Sequence, residues 1–172
     1  YLISLRAYSY LRVEDYPAAI IDYTKLTELE PNNENNYYYL GKAFLENEPD
    51  QNTTVNIPNE EHSIDKRRKI AIEYFDKAIE IDPNNKKFYD ERAFAKSLIR
   101  DFTGALKDFS QSIELDPEDK ESFFKRGLTY MFLEDKENAC KDFEKTLGSG
   151  IKRAENLFNQ ECTDKEVTLS EE

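Results

Sequence analysis

One group of residues recurs along this chain at a nearly constant interval, and this repetition limits the possible folds more than any other feature. Alanines stand at Ala19, Ala71, Ala105 and Ala139, with spacings of 52, 34 and 34 residues. Each alanine is followed four residues later by an aromatic residue, at Tyr23, Phe75, Phe109 and Phe143. The chain is therefore composed of copies of one unit of 34 residues, and one copy carries an insertion of 18 residues.

Each unit has the pattern of two helices followed by a break. Pro31, Pro83 and Pro117 follow an acidic residue at the same place in their units, whereas Ile151 replaces proline in the fourth. Proline cannot continue a helix, so we expect it to end the second helix of each unit. The Asn-Asn or Glu-Asp pair after each proline suits a turn and the N-cap of the next helix.

A small residue also recurs in the first helix of each unit, at Ala7, Gly41, Ala93 and Gly127. A bulky residue precedes each of them by four positions, at Ile3, Tyr37, Tyr89 and Phe123. Two helices can approach closely only where side chains are small, and large apolar side chains fill the space alongside. We therefore expect the two helices of each unit to cross at these small residues.

Taken together, these positions resemble the tetratricopeptide repeat family over roughly residues 1–151, and the 34-residue period is the length of that repeat. The resemblance implies an all-α fold, a right-handed α-solenoid of about four helix-turn-helix units plus a C-terminal capping helix. The chain departs from the family pattern because it has no Trp at the first bulky position and because Arg6 and Arg92 stand where Leu is usual.

The repeats predict a single domain over residues 1–162, followed by an acidic tail, 163–172, that we expect to be disordered. The predicted units are about 1–33, 34–85 with the insertion, 86–119 and 120–151, with a capping helix at 152–162. We expect the cap because the last unit of a solenoid otherwise exposes its stacking face.

Composition excludes several kinds of partner. The chain has 36 acidic and 24 basic residues and a net charge of −12, so we expect no binding to nucleic acid, whose phosphates need clustered Lys and Arg. No apolar run is long enough to span a membrane. No signal peptide is visible, and the compartment is left open: the cytoplasm, or the periplasm or exterior if an upstream leader was removed.

The insertion in unit two lies near residues 47–59 and has the composition of a loop. Two interpretations are open, a tolerated surface insertion or a flap that contacts the partner. The second helix of unit two is expected to begin near residue 60, with Asn59 as its cap. It carries the basic run Lys66 to Lys69, for which we expect a solvated helix face, with a patch for an anionic partner as the alternative.

The two cysteines, Cys140 and Cys162, are too few to form a disulfide framework. Our first expectation is two independent thiols. The alternative is a bridge that ties the cap to the last repeat, which would imply an oxidising compartment.

A second stripe on the first helices lies one residue beyond the packing stripe and is unexpectedly rich in apolar and aromatic residues. In the family that the chain resembles, this stripe lines the concave face where peptides bind. The predicted groove residues are Tyr8, Tyr38, Tyr39, Lys42, Phe94, Phe124, Lys125 and Leu128. The rings would contact apolar side chains and the two lysines a carboxylate, whereas the competing interpretation is that the rings belong to the core.

No catalytic or metal-binding pattern is present, and no cofactor is expected. His62 is the only histidine, which leaves too few ligands for a His/Cys metal cluster. The positions that form a carboxylate clamp in chaperone-binding members of the family include Glu91, which would repel a carboxylate. Capture of heat-shock chaperone tails is therefore not expected.

We accordingly expect a non-catalytic module that binds a peptide or protein segment in its concave groove. Two alternatives remain: a structural module that associates with itself into a homo-oligomer, or an accessory segment of a larger enzyme or of a secretion or assembly complex.

Overall fold

The computed structural model describes residues 2–47 and 64–163, and in these two ranges the chain contains helices and turns but no strand. Each helix packs mainly against its neighbours in sequence, so the helices form a stacked series of antiparallel pairs, an α-solenoid. The helices are α1 Leu2–Arg12, α2 Tyr16–Leu29, α3 Glu34–Glu46, α4 Ile64–Ile81, α5 Lys86–Leu98, α6 Phe102–Leu115, α7 Lys120–Phe132, α8 Lys136–Lys145 and α9 Lys152–Leu157, which a short π-helix, Phe158–Cys162, continues.

The all-α solenoid predicted from the repeats is confirmed. The predicted start of α4 near residue 60, its capping Asn59 and the insertion at 47–59 lie largely outside the described residues, as does most of the acidic tail. The unit boundaries therefore stay predictions, as do both interpretations of the insertion.

The first helices of units two, three and four are capped where the sequence predicts it. The side chains of Asn33, Asn85 and Asp119 accept hydrogen bonds from the backbone N–H groups two residues later, at 3.2, 3.3 and 3.1 Å. These bonds satisfy donors that the first turn of a helix leaves unpaired. The Asn-Asn and Glu-Asp pairs after the prolines thus start α3, α5 and α7.

The second helices are capped by a different device, which the sequence analysis did not identify. Asp15, Asp101 and Asp135 each accept a hydrogen bond from the backbone three residues later. The residue before each of these aspartates has a positive φ: Glu14 at 61°, Arg100 at 64° and Glu134 at 60°. The tight turn between the two helices is therefore the same in units one, three and four.

The helices of a pair approach most closely at the small residues of the repeat. A Cβ placed on Gly41 would lie 2.8 Å from Cε1 of Phe75, and one on Gly127 would lie 2.6 Å from Cε1 of Phe143. Both distances are shorter than carbon–carbon contact allows, so glycine lets the aromatic ring of the second helix lie directly on the first. Ala7 and Ala93 occupy the same positions in units one and three and are fully buried.

Arginine–aspartate pairs join the two helices of three units and explain the departure from the family pattern. Arg6 binds both carboxylate oxygens of Asp22, and Arg92 and Arg126 bind Asp108 and Asp142 in the same bidentate way. Hydrogen bonding to Asp142 raises the pKa of Arg126 above its ordinary value. Arginine replaces leucine here because a buried carboxylate lies opposite it.

Unit two replaces this ion pair with apolar contacts. Leu40 occupies the arginine position and is fully buried, and Tyr74 occupies the aspartate position and packs against the same cluster. The ring of Tyr74 stacks on Phe44 with centroids 5.6 Å apart. In unit two, therefore, both the arginine and the aspartate are replaced by uncharged residues. Replacing only one of them would have left a buried charge without a partner.

The solvated face expected for the basic run of α4 is wrong for its two arginines. Arg67 is buried and donates to the carbonyl oxygen of Asn47 at 2.8 Å. Arg68 bonds to Asp65 and to the carbonyl oxygen of Leu98. These side chains connect α4 to α3 and α5, whereas Lys66 and Lys69 are exposed.

The expectation of two independent thiols is also wrong. Cys140 on α8 and Cys162 at the end of the π-helix form a disulfide, with their Cα atoms 5.4 Å apart. Ala154 of α9 joins Phe124 and Phe143 in one buried cluster, and Leu157 and Phe158 pack on its edge. The alternative interpretation is therefore the correct one: the last helix covers the end of the solenoid and is cross-linked to it.

Candidate functional site

Two of the depressions lined by the first helices contain the eight predicted residues, four in each. We call the depression on units one to three the proximal groove. Its volume is about 300 Å³, and its lining includes Tyr8, Tyr38, Tyr39 and Lys42. The depression between units three and four, which we call the distal groove, has a volume of about 530 Å³ and includes Phe94, Phe124, Lys125 and Leu128.

Position along the first helix decides how far each ring reaches the surface. Tyr8 and Phe94 occupy equivalent positions in units one and three, and each is 45% exposed. Tyr38 and Phe124 occupy a position four residues earlier in their units, and both turn inward. Phe124 is only 8% exposed and packs in the core with Phe143, so for this residue the core interpretation holds.

The tyrosines of the proximal groove form a connected set of rings. Tyr39 stacks on the buried Tyr23 with centroids 5.5 Å apart, and it meets Tyr8 edge-on at 6.0 Å and Tyr38 at 5.1 Å. Burial, followed by the negative charge of Glu91, raises the pKa of Tyr38 to about 12. The Tyr38 phenol is therefore protonated near neutral pH and is available as a hydrogen-bond donor.

Lys42 is already engaged in ion pairs within the chain. Its Nζ lies 3.2 Å from an oxygen of Glu46 and 3.2 Å from an oxygen of Glu91. Burial acts to lower its pKa, but the charge of Glu91, assisted by Tyr38 and Glu46, outweighs burial and raises it. A partner carboxylate would have to compete with these two glutamates for Lys42.

Lys125 has a different environment on the rim of the distal groove. It is half-buried, and no ion pair involves it within the described ranges. Leu128 lies one turn further along α7 and packs against the core cluster at the base of the groove. The aliphatic stem of Lys125 thus lies along an apolar surface while its charge remains available.

The sequence analysis missed the most exposed ring of the distal groove and the ring on which it stacks. Phe132, at the end of α7, is 69% exposed, and its ring stacks on Phe102 of α6 with centroids 5.2 Å apart and planes within 3°. Arg100, in the turn between α5 and α6, lines the same groove. Phe132 lies on α7 four residues after Leu128, a helical spacing that could have identified it, whereas Arg100 and Phe102 lie outside the first helices and share no helical spacing with the stripe.

Neither a metal site nor a membrane-spanning segment is found where the structure is described. Within residues 2–47 and 64–163, no group of three or more His, Cys, Asp or Glu side chains is placed to hold a metal ion. In the same ranges, every helix is too short or too polar to cross a bilayer. His62 lies outside the described residues.

Comparison with known families identifies the repeat directly. Two segments, residues 62–85 and 120–148, match the tetratricopeptide repeat family. These segments correspond to α4 with the turn after it and to the α7–α8 pair. No curated protein gives a significant match to the sequence.

Solved structures of similar architecture are tetratricopeptide repeat proteins. The crystal structure of MamA superposes with a TM-score of 0.74 at 21% identity, covering 90% of this chain and 81% of MamA. YrrB, described as a TPR protein with an unusual peptide-binding site, gives a TM-score of 0.72 at 19% identity and covers 89% and 71% of the two chains. The first TPR of Spaghetti (RPAP3), bound to the HSP90 peptide SRMEEVD, gives 0.53 at 24% identity and covers 56% and 78%.

The stacked antiparallel helix pairs, the small-residue crossings and the grooved face of the first helices define an α-solenoid. Two of its segments match the tetratricopeptide repeat family, and its fold is that of tetratricopeptide repeat proteins, so the chain carries tetratricopeptide repeats. Proteins built from these repeats are in general non-catalytic, and the repeats support a protein-interaction module.

Proposed function

We propose that this chain binds a peptide or protein segment in the concave groove of its first helices and catalyses no reaction. The observation that carries the proposal is the pair of exposed rings, Tyr8 and Phe94, each 45% exposed on the groove side. Large apolar side chains on the surface of a soluble domain mark interaction sites when they cluster in a depression. Both rings lie in depressions of this kind.

The rest of the groove suits a peptide better than a small molecule. Together, the linings of the proximal and distal grooves extend over four first helices, from Tyr8 on α1 to Leu128 on α7, and do not close around one point. Aromatic rings provide large contact area with few rotatable bonds to immobilise on binding. Two of the similar structures are described as peptide-binding, which agrees with this use of the fold.

Selection from a random peptide library displayed on phage, with the full chain as bait, tests the proposal. Affinities of the selected peptides would then be measured by fluorescence polarisation on the wild-type chain and on Tyr8→Ala and Phe94→Ala. We expect each variant to lose about tenfold in affinity, which corresponds to about 1.4 kcal/mol for one removed anchor ring.

Leu29→Ala provides the matched control, because Leu29 is an exposed apolar residue on α2 that lines neither groove. Its affinity should equal that of the wild type, and circular dichroism should show the same helical content in all three variants. Peptides that bind Tyr8→Ala and Phe94→Ala as tightly as the wild type would contradict groove binding.

Self-association is a second candidate function, favoured by one surface. Leu2, Leu5 and Ile21 are exposed on the first helix pair, at 81%, 50% and 57%. Apolar surface of this kind promotes association. Sedimentation velocity over a range of concentrations would detect a dimer, which Leu5→Glu with Ile21→Glu should dissociate, whereas a concentration-independent monomer would rule this candidate out.

A further inference from the structure

We infer that the preferred occupant of the groove is an acidic segment that places one large apolar side chain in the distal groove, between Phe94 and the stacked Phe102–Phe132 pair. This inference rests on the peptide-binding function proposed above and specifies the chemistry of the peptide. Its basis is the charge of the groove lining, which is opposite to that of the chain as a whole.

The charged residues that line the two grooves are mainly basic. They are Arg12, Lys42, Lys87, Arg100 and Lys125, against Glu46 and Glu121. The whole chain has 36 acidic and 24 basic residues, so this balance is reversed locally. A surface selected only for solubility would follow the composition of the chain, and this one does not.

Most of these basic groups also have no acidic partner. In the described ranges Lys42 pairs with Glu46 and Glu91, but no ion pair involves Arg12, Lys87, Arg100 or Lys125. Elsewhere on the first helices Arg6, Arg92, Lys96 and Arg126 are all neutralised by aspartates. Among the basic residues of the described first helices, those without an ion pair therefore all line one of the two grooves.

Comparison between units shows that the basic residues beside the distal groove replace glutamates found at the equivalent positions of other units. Arg100 occupies a turn position that is Glu14 in unit one and Glu134 in unit four, with the same positive φ. Lys125 occupies the first-helix position that is Glu91 in unit three. Glutamate therefore fits the local backbone at both places, and basic residues stand there only beside the distal groove.

The base of the distal groove is apolar. Phe109, Phe124 and Leu128 form it, and the stacked rings of Phe102 and Phe132 form one wall. A volume of about 530 Å³ accommodates an aromatic or branched aliphatic side chain with its flanking backbone. Acidic side chains on either side of such an anchor would then lie near Arg100 and Lys125.

The basic groups are distributed over several units instead of converging on one point. Arg12 is on α1, Lys87 on α5, Arg100 in the following turn and Lys125 on α7. Such a distribution matches acidic side chains along a segment and does not match a single terminal carboxylate. An internal segment should therefore bind as well as a free C-terminus.

Synthetic fluorescent peptides with blocked ends provide the test. One carries a central Phe flanked by Glu and Asp, a second replaces the acidic residues with Lys, and a third replaces Phe with Ser. On the full chain at low ionic strength, we expect the acidic Phe peptide to bind at least tenfold more tightly than either of the others. Added salt should weaken it, because the contacts are charged and exposed.

Two matched double variants identify the groups responsible. Arg100→Glu with Lys125→Glu should lose at least tenfold in affinity for the acidic peptide and gain affinity for the basic one. Lys107→Glu with Lys145→Glu makes the same change in net charge at exposed positions outside both grooves and should change the affinity less than threefold. Phe132→Ser should weaken the Phe peptide and leave the Ser peptide unchanged.

Several results would overturn the inference. These are equal binding of the acidic and basic peptides, an unchanged affinity of the Arg100→Glu, Lys125→Glu variant, or at least tenfold tighter binding of a peptide with a free C-terminal carboxylate. If library peptides of other chemistry bind in a Tyr8- and Phe94-dependent way, this inference fails while the proposed function stands. If no peptide depends on those rings, the proposed function itself fails.

Discussion

Arg126 of α7 donates from Nε and Nη2 to both oxygens of Asp142 on α8, at 2.8 and 2.7 Å, and the aspartate side chain is only 5% exposed. The same arginine reaches Ser110 on the preceding second helix at 3.0 Å. Arg92 makes the equivalent contacts to Asp108 and to Asp76. These arginines therefore join the helices within a unit and also join consecutive units.

Removing Arg126 alone should destabilise the protein markedly. Arg126→Leu leaves the Asp142 carboxylate buried without its counter-charge, and we expect the free energy of unfolding to fall by about 3 kcal/mol. Urea unfolding followed by circular dichroism measures this change. A loss under about 0.5 kcal/mol would mean that solvent replaces the arginine at little cost.

The residues of unit two indicate which second substitution should compensate for the loss of Arg126. Its Leu40, Phe44 and Tyr74 correspond to Arg126, Tyr130 and Asp142. Combining Arg126→Leu with Asp142→Tyr should therefore restore most of the lost stability, because an apolar pair replaces the ion pair and Tyr130 is in position to stack. A double variant no more stable than the single one would show that the two units pack differently.

The disulfide should stabilise mainly the end of the solenoid. Cys140 and Cys162 are separated by 22 residues, and closing a loop of that length is worth about 3 kcal/mol. Cys162→Ser should lower the melting temperature and speed hydrogen exchange in α8 and α9, leaving α1 to α3 nearly unchanged, since contacts in a solenoid are local. Cys140→Ser should behave identically, and a reductant should affect neither variant.

Asp119 should make stability depend on pH in acid. Burial acts to raise its pKa, but hydrogen bonds from Lys86 and Ser122 outweigh burial and lower the pKa below the ordinary 3.8. The unfolded chain then binds this proton more readily, so the contribution is complete above about pH 4 and is lost as pH falls through the lower folded value.

Asp119→Asn tests that contribution because asparagine retains the N-cap of α7. The variant should be less stable at pH 7 by up to about 1 kcal/mol, and the difference from wild type should shrink below pH 4. Urea unfolding at a series of pH values measures it. A difference that stays constant down to pH 2 would assign the effect to capping instead of charge.

Phe94 and Phe124 should differ in their effect on folding although both were predicted as groove residues. Phe124→Ala removes a buried ring from the cluster under the cap and should cost about 3 kcal/mol. Phe94→Ala removes a half-exposed ring and should cost less than about 1 kcal/mol. Thermal melts of the two variants compare them directly, and equal losses would place Phe94 in the core as well.

The sequence by itself determined the helices, the caps of α3, α5 and α7 and the crossings at Gly41 and Gly127. Each of these depends on residues within a few positions of one another or on the repeat period, so a linear pattern carries them. Proline after an acidic residue ends the second helix in three copies, and a small residue opposite an aromatic ring marks the helix crossing in all four.

Only the tertiary structure decided which rings remain available and which charges are free. Phe124 on α7 and Phe94 on α5 were both assigned to the groove stripe of the first helices, but Phe124 is buried in the cluster beneath the cap and Phe94 is 45% exposed. The pairing of Arg126 with Asp142, the neutralisation of Lys42 by Glu91 and the Cys140–Cys162 bridge all join residues on different helices. Such contacts depend on how neighbouring helices are rotated and spaced, which no local pattern specifies.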